Sequence, residues 1–212
     1  MIKNIIFDWG GVVLTLDKEL CIKNFAEVAG VPDFNEYLTP YLQKGFFAAY
    51  ENGDIDDGEF VEEIKKISNK ADVGYKEVEY ALDSFLKEIP QYKVDLINDL
   101  AKRYDLYVLS NNNPICWRIS ERMFDELSEK PVKELFKEVF LSYRLNLSKP
   151  GKEIFLKVIE KAGFDPEESL FIDDAPANIE AAASVGFKTL FYDVNKNLAD
   201  ELERVLHSEE LV

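Results

Sequence analysis

The chain has 212 residues, 47% apolar and 31% charged, with a formal net charge of −16. That length fits one ordinary domain or one domain with a sizeable insertion, and the apolar share excludes a disordered chain. The acidity argues against nucleic-acid and membrane partners, and it repels a phosphorylated substrate unless a cation reverses the sign within the site.

The first element is "NIIFDW" (4–9), an apolar run of strand length that ends in an acid and two glycines. From about residue 17 to 88 no convincing strand is visible. The stretches "DKELCIKNFAEVAG", "FNEYLTPYLQKGFFAAYENG", "DDGEFVEEIKKIS" and "YKEVEYALDSFLKEI" read as helices joined by Gly, Pro and Asp turns. "QYKVDLINDLAKRY" follows as a helix with Val94, Ile97 and Ala101 on one face, and "DLYVLSN" (105–111) and "EVFLSY" (138–143) are strands. "PGKEIFLKVIEKAGF" is a helix stopping at Gly163, "SLFIDD" (169–174) a strand, "NIEAAASVGF" a short helix and "KTLFYD" (188–193) a last strand. Strands apolar on both faces that alternate with helices predict a parallel sheet covered on both sides, with its chemistry at the strands' carboxyl ends. The predicted fold is therefore α/β, with a parallel-sheet core of residues 1–16 and 89–212 and an all-helical unit of residues 17–88 inserted after the first strand. Standing over that strand's carboxyl end, the insert is a candidate lid.

Cys21 and Cys116 lie far apart and form no C-x-x-C pair, which fits a reducing cytoplasm. The apolar start is too short for a signal peptide, and no run approaches membrane-spanning length. His207, the single histidine, is expected to be exposed in an acidic tail, so neither a Ser-His-Asp triad nor a histidine-rich metal site is readily built.

Four groups of polar residues fall at the strand ends: Asp8, Ser110 with Asn111, Lys149 in "LSKPGKEIF", and Asp173–Asp174 in "FIDDAPANIEAA". Singly, Asp8 reads as a turn or helix cap as readily as a nucleophile, Ser110 as an N-cap, and Lys149 as a solvated loop lysine. Two adjacent acids after an apolar strand repel one another and call for a cation. Together the groups make a phosphoryl-transfer site: a carboxylate nucleophile, hard oxygen ligands for magnesium, and hydroxyl, N–H and ammonium donors for the transferring oxygens.

The order and context of these residues resemble the four motifs of the haloacid dehalogenase superfamily, and the insert resembles its first type of cap. "FDWGGVVLTLD", "LSNNNP" and "FAAYENGDIDDGEF" look most like the branch containing the bacterial α-D-glucose-1-phosphate phosphatase. The resemblance implies a Rossmann-like core and a magnesium-dependent phosphatase that cleaves a small phosphorylated metabolite, such as a sugar 1-phosphate, through an aspartyl phosphate. Asp8 is then the nucleophile, and Asp8, Asp174 and the Gly10 carbonyl are metal ligands with Asp173 beside them. Trp9, Ser110, Asn111 and Lys149 contact substrate, and Lys149 also balances charge in catalysis. Hydrolysis of C–P or C–halogen bonds and a catalytically inactive phospho-ligand module stand as alternatives. A C–P hydrolase would need a cap lysine, for which Lys44 is the candidate.

Most phosphatases of this superfamily carry a second Asp two residues after the nucleophile, as acid and base. Here that position is Gly10, and the usual acid four residues after Asp174 is Asn178. Asp17 is the nearest other acid in sequence. Without an acid, leaving groups that depart readily, aryl or anomeric, are expected to be favoured over primary alkyl phosphates. Phe46, Phe47 and Tyr50 are candidate specificity residues of the cap, with cap core as the competing reading.

Overall fold

The computed structural model describes residues 1–38 and 43–210, the last three by backbone alone. In chain order, β1 (Asn4–Phe7) is followed by the two-residue strand β2 (Thr15–Leu16) and the helices α1 (Lys18–Glu27), α2 (Gly45–Asn52), α3 (Asp57–Ile67) and α4 (Tyr75–Asp83). Next come β3 (Leu86–Glu88), α5 (Gln91–Leu100), β4 (Asp105–Ser110), α6 (Pro114–Leu127), α7 (Val132–Leu135), β5 (Phe136–Leu141) and α8 (Ser142–Leu145). The chain closes with α9 (Lys152–Ala162), β6 (Ser169–Asp173), α10 (Pro176–Ala183), β7 (Lys188–Phe191) and α11 (Leu198–Glu210).

Five strands form one parallel sheet in the order β5-β4-β1-β6-β7. The fold is thus α/β with a Rossmann-like parallel core. β1 and β6 are buried along their whole length because helices cover both faces, which is why they read as unbroken apolar runs. From β1 the chain moves out to β4 and β5, then crosses back to β6 and β7. The crevice at the carboxyl ends of β1 and β6 is therefore the topological switch point, where open α/β sheets bind ligands.

The insert leaves and rejoins this sheet through a small antiparallel ribbon, β2 against β3, with Thr15 opposite Glu88 and Leu16 opposite Leu86. The sequence shows no strand at 86–88, because three residues are too few to reveal an alternation and "FLKEI" continues the period of α4. The helix expected over 34–53 is divided into a turn of 3-10 helix at Phe34–Glu36 and α2 from Gly45, and residues 39–42 lie outside the described residues. The expected acidic tail is instead helix α11, in which His207 is exposed and lies 3.3 Å from Glu203. Among the described residues no helix is long and apolar enough to cross a membrane. Cys21 and Cys116 are free and buried.

Inside the insert the aromatic residues pack on one another. The rings of Phe25 and Phe34 stack at 3.5 Å, Tyr50 stacks on Phe60 at 4.3 Å, and Phe46 lies 4.5 Å from Tyr37. Phe47 and Tyr50 are fully buried, so these two are core of the insert and not specificity residues. Phe46 is half-buried against that same core. Phe47→Ala is expected to destabilise the protein by about 3–5 kcal/mol and leave the ratio of rates between two substrates unchanged. Thermal unfolding beside a two-substrate assay checks this.

Candidate active site

β1 delivers Asp8 to the crevice. Its N–H continues the ladder to the Ile172 carbonyl at 2.9 Å, so the side chain emerges at the sheet edge beside β6. Asp8 Oδ1 accepts from the Trp9 N–H at 2.7 Å and lies 3.0 Å from Lys149 Nζ. Lys149 Nζ also bonds Asp173 Oδ2 at 2.7 Å. Lys149 is 2% and Asp173 0% exposed, so this is a buried ion-pair cluster and not a solvated loop lysine.

The Lys149 loop is held from β4. The Asn111 amide donates to the Lys149 carbonyl at 2.8 Å and accepts from the Lys149 N–H at 2.9 Å. Both ends of that amide are engaged, so Asn111 positions the ammonium while its residue lines the crevice. Ser110 is buried at the end of β4, and it is Asn113, not Ser110, that caps α6, accepting from the Cys116 N–H at 2.9 Å. Asp173 is equally committed, its Oδ1 accepting from the Ala175 N–H at 2.8 Å and its two oxygens each 3.0 Å from Asn178 Nδ2.

Asp174 lies over the turn after β1. Gly11 has φ +84°, and a Cβ there would sit 2.5 Å from Asp174 Oδ2, so only glycine allows both the turn and the carboxylate above it. Lys93 on α5 bonds the Val12 carbonyl in that turn at 2.5 Å, and burial lowers its ammonium to about 8 against the pull of Asp174. Carboxylate oxygens of Asp8, Asp173 and Asp174 all lie within 4.8 Å of one another. Burial pushes the Asp8 carboxyl up to about 7; Lys149 lowers it, and the two neighbouring acids raise it further. Burial also raises the Asp174 carboxyl, with Asp173 adding to the effect. The Lys149 ammonium resists burial because Asp173 and Asp8 hold its proton, leaving it above the ordinary lysine value. Three carboxylates against the Lys149 ammonium, with Lys93 acting on Asp174 from α5, leave an excess of negative charge on hard oxygen atoms, a donor set that suits a small divalent cation.

The structure thus brings together Asp8, Gly10, Ser110, Asn111, Lys149, Asp173 and Asp174. It does not bring Trp9 to substrate by its side chain. The indole, just past the end of β1, is fully buried between Trp117 at 5.2 Å and Phe124 at 5.5 Å. Its backbone N–H is what reaches Asp8. Asp17 is committed as the N-cap of α1, accepting from the Leu20 N–H at 2.9 Å. Lys44 is exposed at the start of α2 and is not among the residues lining the crevice. From the insert and its ribbon the lining receives Leu16, Gln43, Glu51 and Phe85, none of which the sequence singled out. The crevice is half open to solvent and about 120 Å³ in volume.

Residues 2–186 match the haloacid dehalogenase-like hydrolase family. The chain is 33% identical over 210 residues to the D-ribitol-5-phosphate phosphatase of Bacteroides thetaiotaomicron, covering 98% of this chain and 100% of that protein. A HAD family enzyme from the same organism, solved as the wild-type protein in complex with magnesium and inorganic phosphate, superimposes with a TM-score of 0.88 at 36% identity, covering 94% of this chain and 98% of that one. A predicted HAD-like family hydrolase from Porphyromonas gingivalis gives 0.89 at 38% identity, covering 97% and 98%. The chain belongs to the haloacid dehalogenase-like hydrolases.

Proposed function

We propose that this haloacid dehalogenase-like hydrolase is a magnesium-dependent phosphatase that cleaves a small phosphorylated sugar or sugar alcohol. The observation that carries the reading is Asp8 held at the switch point by a buried ammonium, with two further carboxylates beside it. The relative named as a D-ribitol-5-phosphate phosphatase, matched end to end, supports a phosphorylated sugar alcohol. The motif likeness to the α-D-glucose-1-phosphate phosphatase branch supports a sugar 1-phosphate as a second candidate.

In this reading Asp8 attacks phosphorus and carries the phosphoryl group as an acyl phosphate. Its Oδ1 is engaged by Lys149 and the Trp9 N–H, which fixes the carboxylate for attack. Lys149 and the end of β4 at Ser110 receive the transferring oxygens. Asp8, Asp174 and the Gly10 carbonyl would hold magnesium, with Asp173 beside them, and the ion would supply the positive charge that lets one anion approach another. The inserted residues, about 17 to 88, act as a cap that selects substrate. C–P hydrolysis would need a second amine in the crevice, and Lys44 is not there.

A panel of aryl, sugar and sugar-alcohol phosphates, assayed with magnesium omitted and then restored, tests the reading. Phosphate release that appears only with metal is expected, and no release from any member would leave the binding-module reading in its place. A second expectation concerns the metal itself. Magnesium at a hundred times its dissociation constant adds about 2.7 kcal/mol of stability, which for a chain of this length raises Tm by roughly 5–10 °C. Asp174→Ala is expected to abolish that shift together with activity. A retained shift would remove Asp174 from the ligand set.

A further inference from the structure

Glu51 is the one acidic side chain that the insert contributes to the crevice lining, among the described residues. It shares that lining with Asp8, Gly10 and Lys149. No ion pair to a basic side chain reaches it among the described residues, and it caps no helix, so no structural duty accounts for a carboxyl group there.

Its placement is fixed by hydrogen bonds that tie the carboxyl end of α2 to the segment leading into Lys149. Ser142 Oγ donates to the Glu51 carbonyl at 2.5 Å and accepts from the Asn112 N–H at 3.0 Å. Asn146 Nδ2 donates to the carbonyls of Asn52 and Gly53 at 3.1 and 3.3 Å, and Ser148 Oγ to Asn52 Oδ1 at 3.2 Å. Gly53 has φ +79°, and a Cβ there would overlap the Tyr143 carbonyl, so glycine permits this close seat. The backbone that carries Glu51 is thereby fixed to the same loop as the ammonium that holds Asp8.

The geometry points to Glu51 as the proton donor and acceptor of the reaction, doing from the insert what Gly10 cannot do from the core. The inference rests on the phosphatase reading. As Asp8 forms its bond to phosphorus and the P–O bond to the alcohol breaks, the Glu51 proton passes to the departing oxygen. The resulting carboxylate then takes a proton from water, whose oxygen attacks phosphorus. The acyl phosphate P–O bond breaks, restoring Asp8 and the neutral acid and releasing phosphate. Burial, with Asp8 adding to it, raises the Glu51 carboxyl above its ordinary value, the direction a proton donor needs. The other charged groups lining the crevice are Lys149 and Asp174. Such a donor brings unactivated primary alkyl phosphates within reach, the reverse of what Gly10 alone implies.

The test compares wild type with Glu51→Gln, magnesium present, on p-nitrophenyl phosphate and on ribitol 5-phosphate. Turnover of the alkyl phosphate is expected to fall 10²–10⁴-fold, the usual share of general acid–base catalysis. With p-nitrophenyl phosphate the first step needs no proton, so a burst of nitrophenolate and a phosphorylated enzyme detectable by intact mass should persist while hydrolysis slows. Gly10→Asp in the Glu51→Gln background should recover alkyl turnover at least tenfold. A Cβ at Gly10 meets only the tip of the Leu16 side chain, at 3.2 Å. Glu51→Asp, which keeps the acid, should retain more alkyl turnover than Glu51→Gln. A fall in alkyl turnover of less than tenfold in folded Glu51→Gln, or equal losses in the Gln and Asp variants, overturns the assignment. Wild type inactive on both substrates would instead overturn the phosphatase reading on which it rests.

Discussion

Asp8→Asn is expected to abolish turnover while leaving the fold intact. The amide has the shape of the carboxylate but is no nucleophile, and the loss should exceed a hundredfold, about 2.7 kcal/mol of barrier. Residual activity above about 1% of wild type would overturn the covalent mechanism. Beryllium fluoride, which mimics the acyl phosphate, should bind the wild type at Asp8 and not the variant. Stability supplies an independent check with a definite sign. Burial raises the Asp8 carboxyl from its ordinary value to about 7 in the folded protein. The stability tied to its neutral form is therefore complete at acid pH and lost as pH rises through about 7. Asparagine cannot ionise, so without metal the variant's Tm should gain on wild type between pH 5 and pH 8. A variant that instead loses ground over that interval would show Asp8 to be stabilised as the anion.

Lys149→Met should carry a large stability cost. The ammonium is buried between Asp8 and Asp173 at 3.0 and 2.7 Å, and methionine fills the space without the charge. Removing one member of such a cluster costs about 3–5 kcal/mol, a fall in Tm of roughly 6–20 °C for a chain of this length. The loss should shrink toward acid pH, because Asp8, deprived of the cation that lowers its pKa, takes up a proton there. Activity should vanish at every pH, since both the grip on phosphate and the orientation of Asp8 depend on this nitrogen. A Tm within about 2 °C of wild type in metal-free buffer would mean that the cluster is not held by its charge.

The sheet was legible because parallel strands covered on both faces must be apolar throughout, as "NIIF" and "SLFID" are. The polar residues at the strand ends stand out against such runs, as Asp8, Ser110 and the paired acids do, while Lys149 reaches them from the loop before α9. Trp9 reads as part of the motif because it follows Asp8; its indole packs into the core, and it is its N–H that reaches the aspartate. Phe47 and Tyr50 follow the common fate of aromatics at helical spacing, which is to pack against one another. Glu51 was invisible because its orientation depends on Ser142 and Asn146, some ninety residues away in the chain. Nothing in "FFAAYENG" separates its glutamate from a solvated one. Asp17, the acid nearest to the site in sequence, turned out to be occupied in starting a helix.

The β2–β3 ribbon bears on how freely the insert can be exchanged. The chain departs at Leu16 and returns at Leu86, which are paired on adjacent strands, so the two attachment points lie one strand spacing apart, about 5 Å. Closing a longer loop at that spacing costs little, since each doubling of its length adds only about 0.6 kcal/mol of chain entropy. The ribbon is therefore a two-point socket: one sheet can accept grafts of very different size without a change in its own register. A graft at that socket would carry away Gln43, Phe85 and Glu51 together. On the proposed mechanism, specificity and proton transfer would travel as one cassette, while Asp8 and Lys149 stay behind in the core.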